Sequence, residues 1–421
     1  MTERTSLRLP LLFWGLAALF YFYGFFQRVA PSVMVQELMR DFSVSAAVLG
    51  NLSAFYFYAY ASIQLPVGLI VDRYGPRRAL TLAALLCGLG SLIFGLAASL
   101  PMAYTGRLLV GAGAGFTWVG ALKVISLWFP ARRFALMSGL TLMLGMIGAV
   151  AGQGPLAALV GAFGWRDVLL AAALIVGVLA AAIWFIIPAA PAPDKAAPEG
   201  PGIRAGLGRV LKNPQSWVVA LFGAMMTAPM LSFAGLWAVP YLMLRYHIDR
   251  PAAAFAVSFV FVGWGAGAPL LGWLSDHLER RKPVMIVSAA TALASISAII
   301  YWPGLPLWAA TLLCFVNGFG SGGMVLCFAA GREHNAPESA GAALGFVNMA
   351  VMSTGAIFQP LIGWLLDRNW AGLMQDGARV YGPDAYQAAL LTQPACGIAA
   401  VLAAMLVTET YCATVAEAKP G

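Results

Sequence analysis

Charge is what this sequence has least of. Of its 421 residues, 10% are Asp, Glu, Lys or Arg and 61% are hydrophobic. A soluble globular chain carries about 25% charged residues. This stock cannot cover a water-facing surface, so most of the exterior must meet lipid. Histidine is scarcer still. His247, His277 and His334 all fall in loops, without metal-ligand spacing. No nucleophile-and-base constellation is present, and no GxxxxGK[ST] phosphate loop. Together these absences argue against an enzyme, against ATP as the driving force, and against any metal or cofactor. Cysteine is sparse and unpaired. Cys87, Cys314, Cys327, Cys396 and Cys412 lie scattered in apolar segments with no CxxC pair, the pattern of packing residues. Negative charge is missing from the middle of every long apolar run. Glu37 and Asp41 sit at the outer edge of the first run, and Glu409 at the end of the last.

What is there is hydrophobic length. A membrane-crossing helix needs roughly 20 apolar residues. Runs of that kind predict twelve helices near 11–35, 46–71, 79–99, 102–128, 134–160, 165–188, 215–243, 252–275, 283–303, 305–331, 338–366 and 385–408. The fold class is therefore all-α membrane protein, with one six-helix bundle in residues 1–188 and another in 215–421. Residues 189–214 are rich in Pro, Ala and Gly and include Lys195, Arg204, Arg209 and Lys212. That segment cannot bury a core and reads as a linker between the bundles. The short basic start runs into a long apolar segment without a cleavage site, so a retained first span is expected.

The net charge of +8 comes from short basic clusters between apolar runs, which is the positive-inside pattern and not a nucleic-acid surface. With both termini in the cytoplasm, sixteen Lys and Arg, from Arg4 and Arg8 to Arg132, Arg133 and Lys419, fall on the cytoplasmic side. Six fall outside: Arg40, Arg166, Arg245, Arg250, Arg368 and Arg379. The bias places a multi-pass chain in the cell inner membrane with cytoplasmic termini. The expected partners are the lipid bilayer and a small molecule, and a monomer is expected.

One stretch repeats. Gly68, Asp72, Arg77 and Arg78 map onto Gly272, Asp276, Arg281 and Lys282, each 204 positions on. The segment from Gly139 to Pro155 resembles that from Gly345 to Pro360, at offsets of 206 and 205. A charged turn between two spans, repeated once per half, marks a duplicated transporter with parallel repeats.

On these residues the chain resembles the major facilitator superfamily over nearly its whole length. Gly68-x-x-x-Asp72-Arg73-x-Gly75-x-Arg77-Arg78 matches that family's loop motif between helices 2 and 3. Arg107-x-x-x-Gly111-x-Gly113-x-Gly115 looks like its helix 4 motif. Gly148, Gly152, Gly154 and Pro155 form a partial version of its helix 5 glycine-proline motif. The resemblance implies a twelve-helix transporter in which Asp72 pairs with basic groups, Arg77 and Arg78 nearby, and with a neighbouring helix end, latching the cytoplasmic side. Gly68, Arg73 and Asp276 belong to the same machinery. It also implies a structural Arg107, hydrogen-bonded to the outer ends of its neighbours.

The charges inside spans speak to substrate. Arg28, Arg107 and Lys123 lie within apolar runs with no internal anion to pair them. A central Arg costs about 2.5–3.5 kcal/mol on insertion scales, so each is a functional candidate. Three cations without anions point to an anionic substrate. Arg28 lies about 26 Å along its helix, behind the aromatic run Tyr21-Phe22-Tyr23-Gly24-Phe25-Phe26-Gln27. Its place matches the helix 1 arginine of the anion:cation symporter and organophosphate transporter branches, where that residue binds carboxylate or phosphate. The departures narrow the class. Gln64 replaces a basic residue of the organophosphate branch, helix 7 has no arginine, and Ala114 replaces the glutamate of the proton-coupled carboxylate branch. Lys123, near the cytoplasmic end, is open between lining the cavity and snorkelling.

Tyr56, Tyr60 and Gln64 share a helical face and with Tyr23 form a candidate pocket wall. In the second half Trp237, Trp264, Asn317, Asn348 and Gln359 are the polar or amphipathic groups within spans. Unpaired amides in lipid are costly, so these amides face the bundle interior, against either substrate or a neighbouring helix. The expected function is a secondary transporter of a small organic anion, a carboxylate first. The alternative is a carrier of a larger amphipathic or neutral solute such as a drug, siderophore or peptide.

Overall fold

The computed structural model describes residues 8–64, 66–130, 133–189, 203–375 and 377–413. Arg4, Arg132, Lys195 and Lys419 of the charge count lie outside them. Among the described residues eleven helices are long and apolar enough to cross a membrane, and the bent pair Val35–Asp41 and Ala46–Ile63, at 111°, counted as one span, makes twelve. In chain order the spans are Arg8–Val33, Ala46–Ile63 with its continuation past Pro66, the part of Val67–Gly95 after Gly75, Leu100–Trp128, Leu136–Phe163, Trp165–Ile186, Pro214–Tyr246, Arg250–His277, Lys282–Tyr301, Leu307–Glu333, Pro337–Arg368 and Pro383–Leu406. They are numbered first to twelfth below. The end that carries Arg73, Arg77, Arg78 and residues 280–282 is called the basic end, and the opposite one the far end.

The loop motif owes its shape to Gly75. Its φ of +76° is a conformation other residues rarely adopt, and it turns the second span into the third at Pro76. The duplication visible in the sequence has a packing counterpart. Gly111 of the fourth span lies against the backbone carbonyl of Tyr56 in the second, and Gly318 of the tenth lies against that of Val260 in the eighth; neither leaves room for a Cβ. Small residues let helices meet backbone to backbone in lipid, where association rests on close packing.

Two expectations change. The segment 189–214, expected as a linker unable to bury a core, contains a helix, Ile203–Lys212, with Val210 buried and Gly206 against Ala342 of the eleventh span. Leu207 and Val210, three apart, give it one apolar face to dock. The tenth span runs on to Glu333, two residues past the expected end at 331, and that carboxylate is 1% exposed. It accepts from Arg281 Nε at 3.1 Å and Nη2 at 2.7 Å, and from the Thr410 hydroxyl at 2.6 Å.

At the far end the first and last six spans meet closely. Gly50 abuts the backbone of Gln359 and Pro360, and Gly363 abuts that of Ala46. An Arg250–Glu37 ion pair joins the eighth span to the short helix Val35–Asp41. Regular helix also breaks here. The first span ends in a 3-10 turn, Ala30–Val33, and the seventh carries a π-helical stretch, Pro229–Trp237. Both breaks begin at an Ala-Pro pair, since proline cannot supply the expected N–H. Carbonyls displaced in the π stretch find side-chain donors. Gln359 Nε2 donates to Leu231 O at 2.8 Å, and Gln153 Nε2 to Ala234 O at 3.1 Å.

Candidate anion-binding site

Arg28 is 4% exposed, in the last full turn of its helix. Three rings enclose its guanidinium: Phe25 at 4.1 Å, Tyr60 at 5.2 Å and Tyr56 at 5.8 Å. The backbone arranges this. Phe25 is one turn before Arg28 on the same face. Tyr56 is fixed by the Gly111 contact and donates its hydroxyl hydrogen bond to Gly24 O at 3.2 Å, while Tyr60 stacks on it at 5.9 Å. A cation–π contact gives about 0.5–1 kcal/mol, rising to about 2 when desolvated. Three of them approach the roughly 2.5–3.5 kcal/mol insertion cost of an arginine. The rings therefore hold the charge in the membrane without using its two Nη groups. Arg28 makes one long hydrogen bond, Nε to the Tyr56 hydroxyl at 3.5 Å. Among the described residues its two Nη groups have no hydrogen-bond acceptor and no acid faces them. Two parallel, unoccupied N–H donors match the two oxygens of a carboxylate or sulfonate.

Arg107 is the contrast. It is fully buried, and its Nη groups are consumed by backbone carbonyls, Gln27 O at 2.9 Å and Ser53 O at 3.4 Å. It ties the first and second spans to the fourth and leaves no fork for a ligand. The carbonyls belong to residues inside those helices, not to helix ends.

The remaining candidates separate. Tyr23 is not brought to Arg28. Its hydroxyl bonds Ser91 at 2.7 Å and Gln27 Nε2 at 2.8 Å, which places it between the first and third spans; on a helix, positions 23 and 28 face different ways. Gln64 sits at the break in the second span and accepts from Asn348 Nδ2 at 2.7 Å, a bridge to the eleventh span. Gln359 serves the seventh-span backbone, with its own Oε1 buried and unpartnered. Asn317 bonds Ala292 O and Ser295 within the second half. The Trp237 indole donates to Gln359 O, and the Trp264 indole N–H is buried without a partner. Of the aromatics in the second span, Phe55 is half-buried, stacking on Tyr104 at 4.3 Å, and Tyr58 is exposed, so neither joins the rings around Arg28.

The gate residues pair otherwise than expected. Asp72 bonds Lys123 Nζ at 2.7 Å, 51 positions away, and not Arg77 or Arg78. The turn at Gly75 carries both arginines past it. Arg77 lies on the Trp184 ring at 4.4 Å, and Arg78 borders an apolar groove between the third and sixth spans. Arg73 lies over Tyr74. Lys123 is thus an ion-pair partner and not a lining residue. In the second copy the local pairing does form: Arg281 bonds Asp276. A methyl group on Gly68 would meet nothing; with Asp72 it lines a cleft of about 290 Å³.

Sequence reasoning missed Phe25, whose i−3 spacing to Arg28 was a usable signal. It also missed Gln153, whose only mark is a lone amide beside Gly152 and Gly154.

The Asp72–Lys123 pair is exposed at 64% and 31%, so it adds little to stability, on the order of 1 kcal/mol or less. Asp72→Asn is expected to keep the melting midpoint and to lower transport by up to about five-fold, the effect of about 1 kcal/mol on a gating equilibrium. Wild-type flux in that variant would remove Asp72 from the gate.

Comparison with known proteins agrees with this architecture. A family model described as Major Facilitator Superfamily matches residues 16–360. A probable sulfoacetate transporter of Cupriavidus necator is 26% identical over 167 residues, covering 40% of this chain and 38% of that protein. A hexuronate transporter of Bacillus subtilis is 25% identical over 371 residues, covering 82% of this chain and 85% of its own length. The crystal structure of a bacterial homologue of the human lysosomal transporter Spinster, inward-facing and unoccupied, superposes with a TM-score of 0.78 at 18% identity, covering 98% of this chain and 97% of that one. That likeness concerns the fold alone. The family model spans most of the chain, and the described residues supply up to twelve spans: this protein belongs to the Major Facilitator Superfamily.

Proposed function

We propose that the chain is a secondary transporter carrying a small organic anion, a carboxylate or sulfonate, by alternating access, with Arg28 as the anion ligand. The observation that carries this reading is the buried guanidinium whose Nη groups have no acceptor among the described residues. The two relatives support it, being named for sulfoacetate and hexuronate. Tyr56 and Tyr60 are taken up by the Arg28 cage, Tyr23 bonds Ser91 and Gln27, and Phe55 stacks on Tyr104, which weakens the reading of a neutral or amphipathic solute. The proposed setting is the cell inner membrane with the basic end in the cytoplasm, and residues 1–188 and 215–421 moving as the two halves.

Coupling follows from charge. Uptake of a monoanion against an inside-negative potential costs about 2.3 kcal/mol per 100 mV. Ala114 packs beside Gly24, one turn from Arg28, so no carboxylate stands there to carry a proton. Anion exchange or efflux fits best. The test is a thermal-shift screen of purified protein against carboxylates, sulfonates and their neutral amides and alcohols. A bound anion at 100 times its Kd stabilises by about 2.7 kcal/mol. Stabilisation by anions alone is expected; equal stabilisation by neutral isosteres would refute the reading.

A further inference from the structure

The hexapeptide closing the second span, Gly68-Leu69-Ile70-Val71-Asp72-Arg73, has a counterpart closing the eleventh, Gly363-Trp364-Leu365-Leu366-Asp367-Arg368. These two spans run antiparallel against each other: Ala46 meets Gly363, Gly50 meets Gln359, Phe57 meets Gly355, and Gln64 meets Asn348. Their terminal aspartates therefore stand at opposite ends of the molecule.

Asp367 is engaged. Oδ1 accepts from the Ala46 N–H at 3.2 Å and Oδ2 from the Ala47 N–H at 2.9 Å. These are the first N–H groups of the second span, and Ser45 before them supplies no side-chain cap. A carboxylate there satisfies orphan donors and meets the positive end of the helix dipole. Tyr381 donates its hydroxyl to Asp367 and accepts from the Ala46 N–H at 3.1 Å, while Arg379 Nη1 lies 3.3 Å from Asp367. Burial and the neighbouring Asp367 raise the Tyr381 pKa above the ordinary tyrosine value, which keeps that hydroxyl a donor. An ordinary cap comes from a helix's own chain neighbours. This one crosses from the last six spans to the first six, so any opening of the far end between them must break it. Asp72 holds the matching place at the basic end. It faces the start of the eleventh span across the cleft it shares with Glu338 and Gly341, exposed and bonded to Lys123.

We propose that Asp367 is a gating residue of the transport cycle: its cap on the second span holds the far end shut and is released each time that end opens. The inference needs neither Arg28 nor a known substrate. It is tested by pulsed-EPR distances between spin labels at Ser99→Cys and Trp302→Cys, exposed far-end positions in the first and second halves, in a Cys412→Ser background without ligand. Asp367→Asn is expected to raise the far-end-open fraction about ten-fold, which corresponds to roughly 1.4 kcal/mol. Tyr381→Phe is expected to shift it the same way by less, and it decides the matter should the Asp367 variant not fold. Unchanged distances overturn the proposal. Unchanged distances with a lowered melting midpoint assign Asp367 to anchoring the following loop instead.

Discussion

Replacing Arg28 by alanine is expected to abolish anion transport while leaving the protein folded. Each hydrogen bond to a charged group contributes about 1.5–3 kcal/mol. Loss of a two-pronged contact thus removes roughly 3–6 kcal/mol of binding, a factor of about 10² to 10⁴. Arg28→Lys keeps the charge but not the planar fork, so it should retain a fraction of the affinity, and more for a small anion than for a long one. Stability separates a ligand role from a structural one. Among the described residues Arg28 has no ion pair and one long hydrogen bond, so its removal deletes a buried cation held mainly by ring faces. The melting midpoint of Arg28→Ala should stay level or rise. A marked drop, with transport lost in proportion to folded protein, would make Arg28 a structural arginine like Arg107.

The largest expected loss of stability lies at the basic end of the second half. Glu333→Ala leaves the Arg281 guanidinium, 8% exposed, with the exposed Asp276 as its one remaining ion-pair partner among the described residues. Breaking a buried pair by removing one partner costs about 3–5 kcal/mol. Thermal melting should show it as a large drop, and Glu333→Gln, which keeps an acceptor for Arg281 and Thr410, should drop less. The sharper check is the double variant Glu333→Leu with Arg281→Leu, because an apolar pair removes both desolvation penalties. Recovery of most of the lost midpoint is expected. A double variant as unstable as the single one would mean that the helix junction needs Arg281 for its other bonds.

Much of the fold could be read from composition and spacing. Apolar length gives the span count, and Gly68, Asp72, Arg77 and Arg78 with their copies give the duplication. The presence of Arg28 in a run without acids marks the candidate site. Less legible was everything set by the route of the backbone. That Gly75 turns Arg77 onto Trp184 and hands Asp72 to Lys123 depends on a positive φ and a partner 51 positions away. That Tyr23 misses the Arg28 pocket depends on helix rotation, to which aromatic content is blind. Gln359 was recognised as inward-facing, but the carbonyl it serves exists only because the seventh span widens into a π turn at Pro229.

The central claim is that a negative charge on the substrate is recognised by Arg28. The most direct measurement is counterflow in proteoliposomes loaded with the anion chosen by thermal shift, comparing wild type with Arg28→Gln in the presence of the neutral amide of the same compound. The account predicts rapid exchange in wild type, none above background in Arg28→Gln, and no competition by the amide. Equal flux in the two proteins, or full competition by the amide, would contradict it.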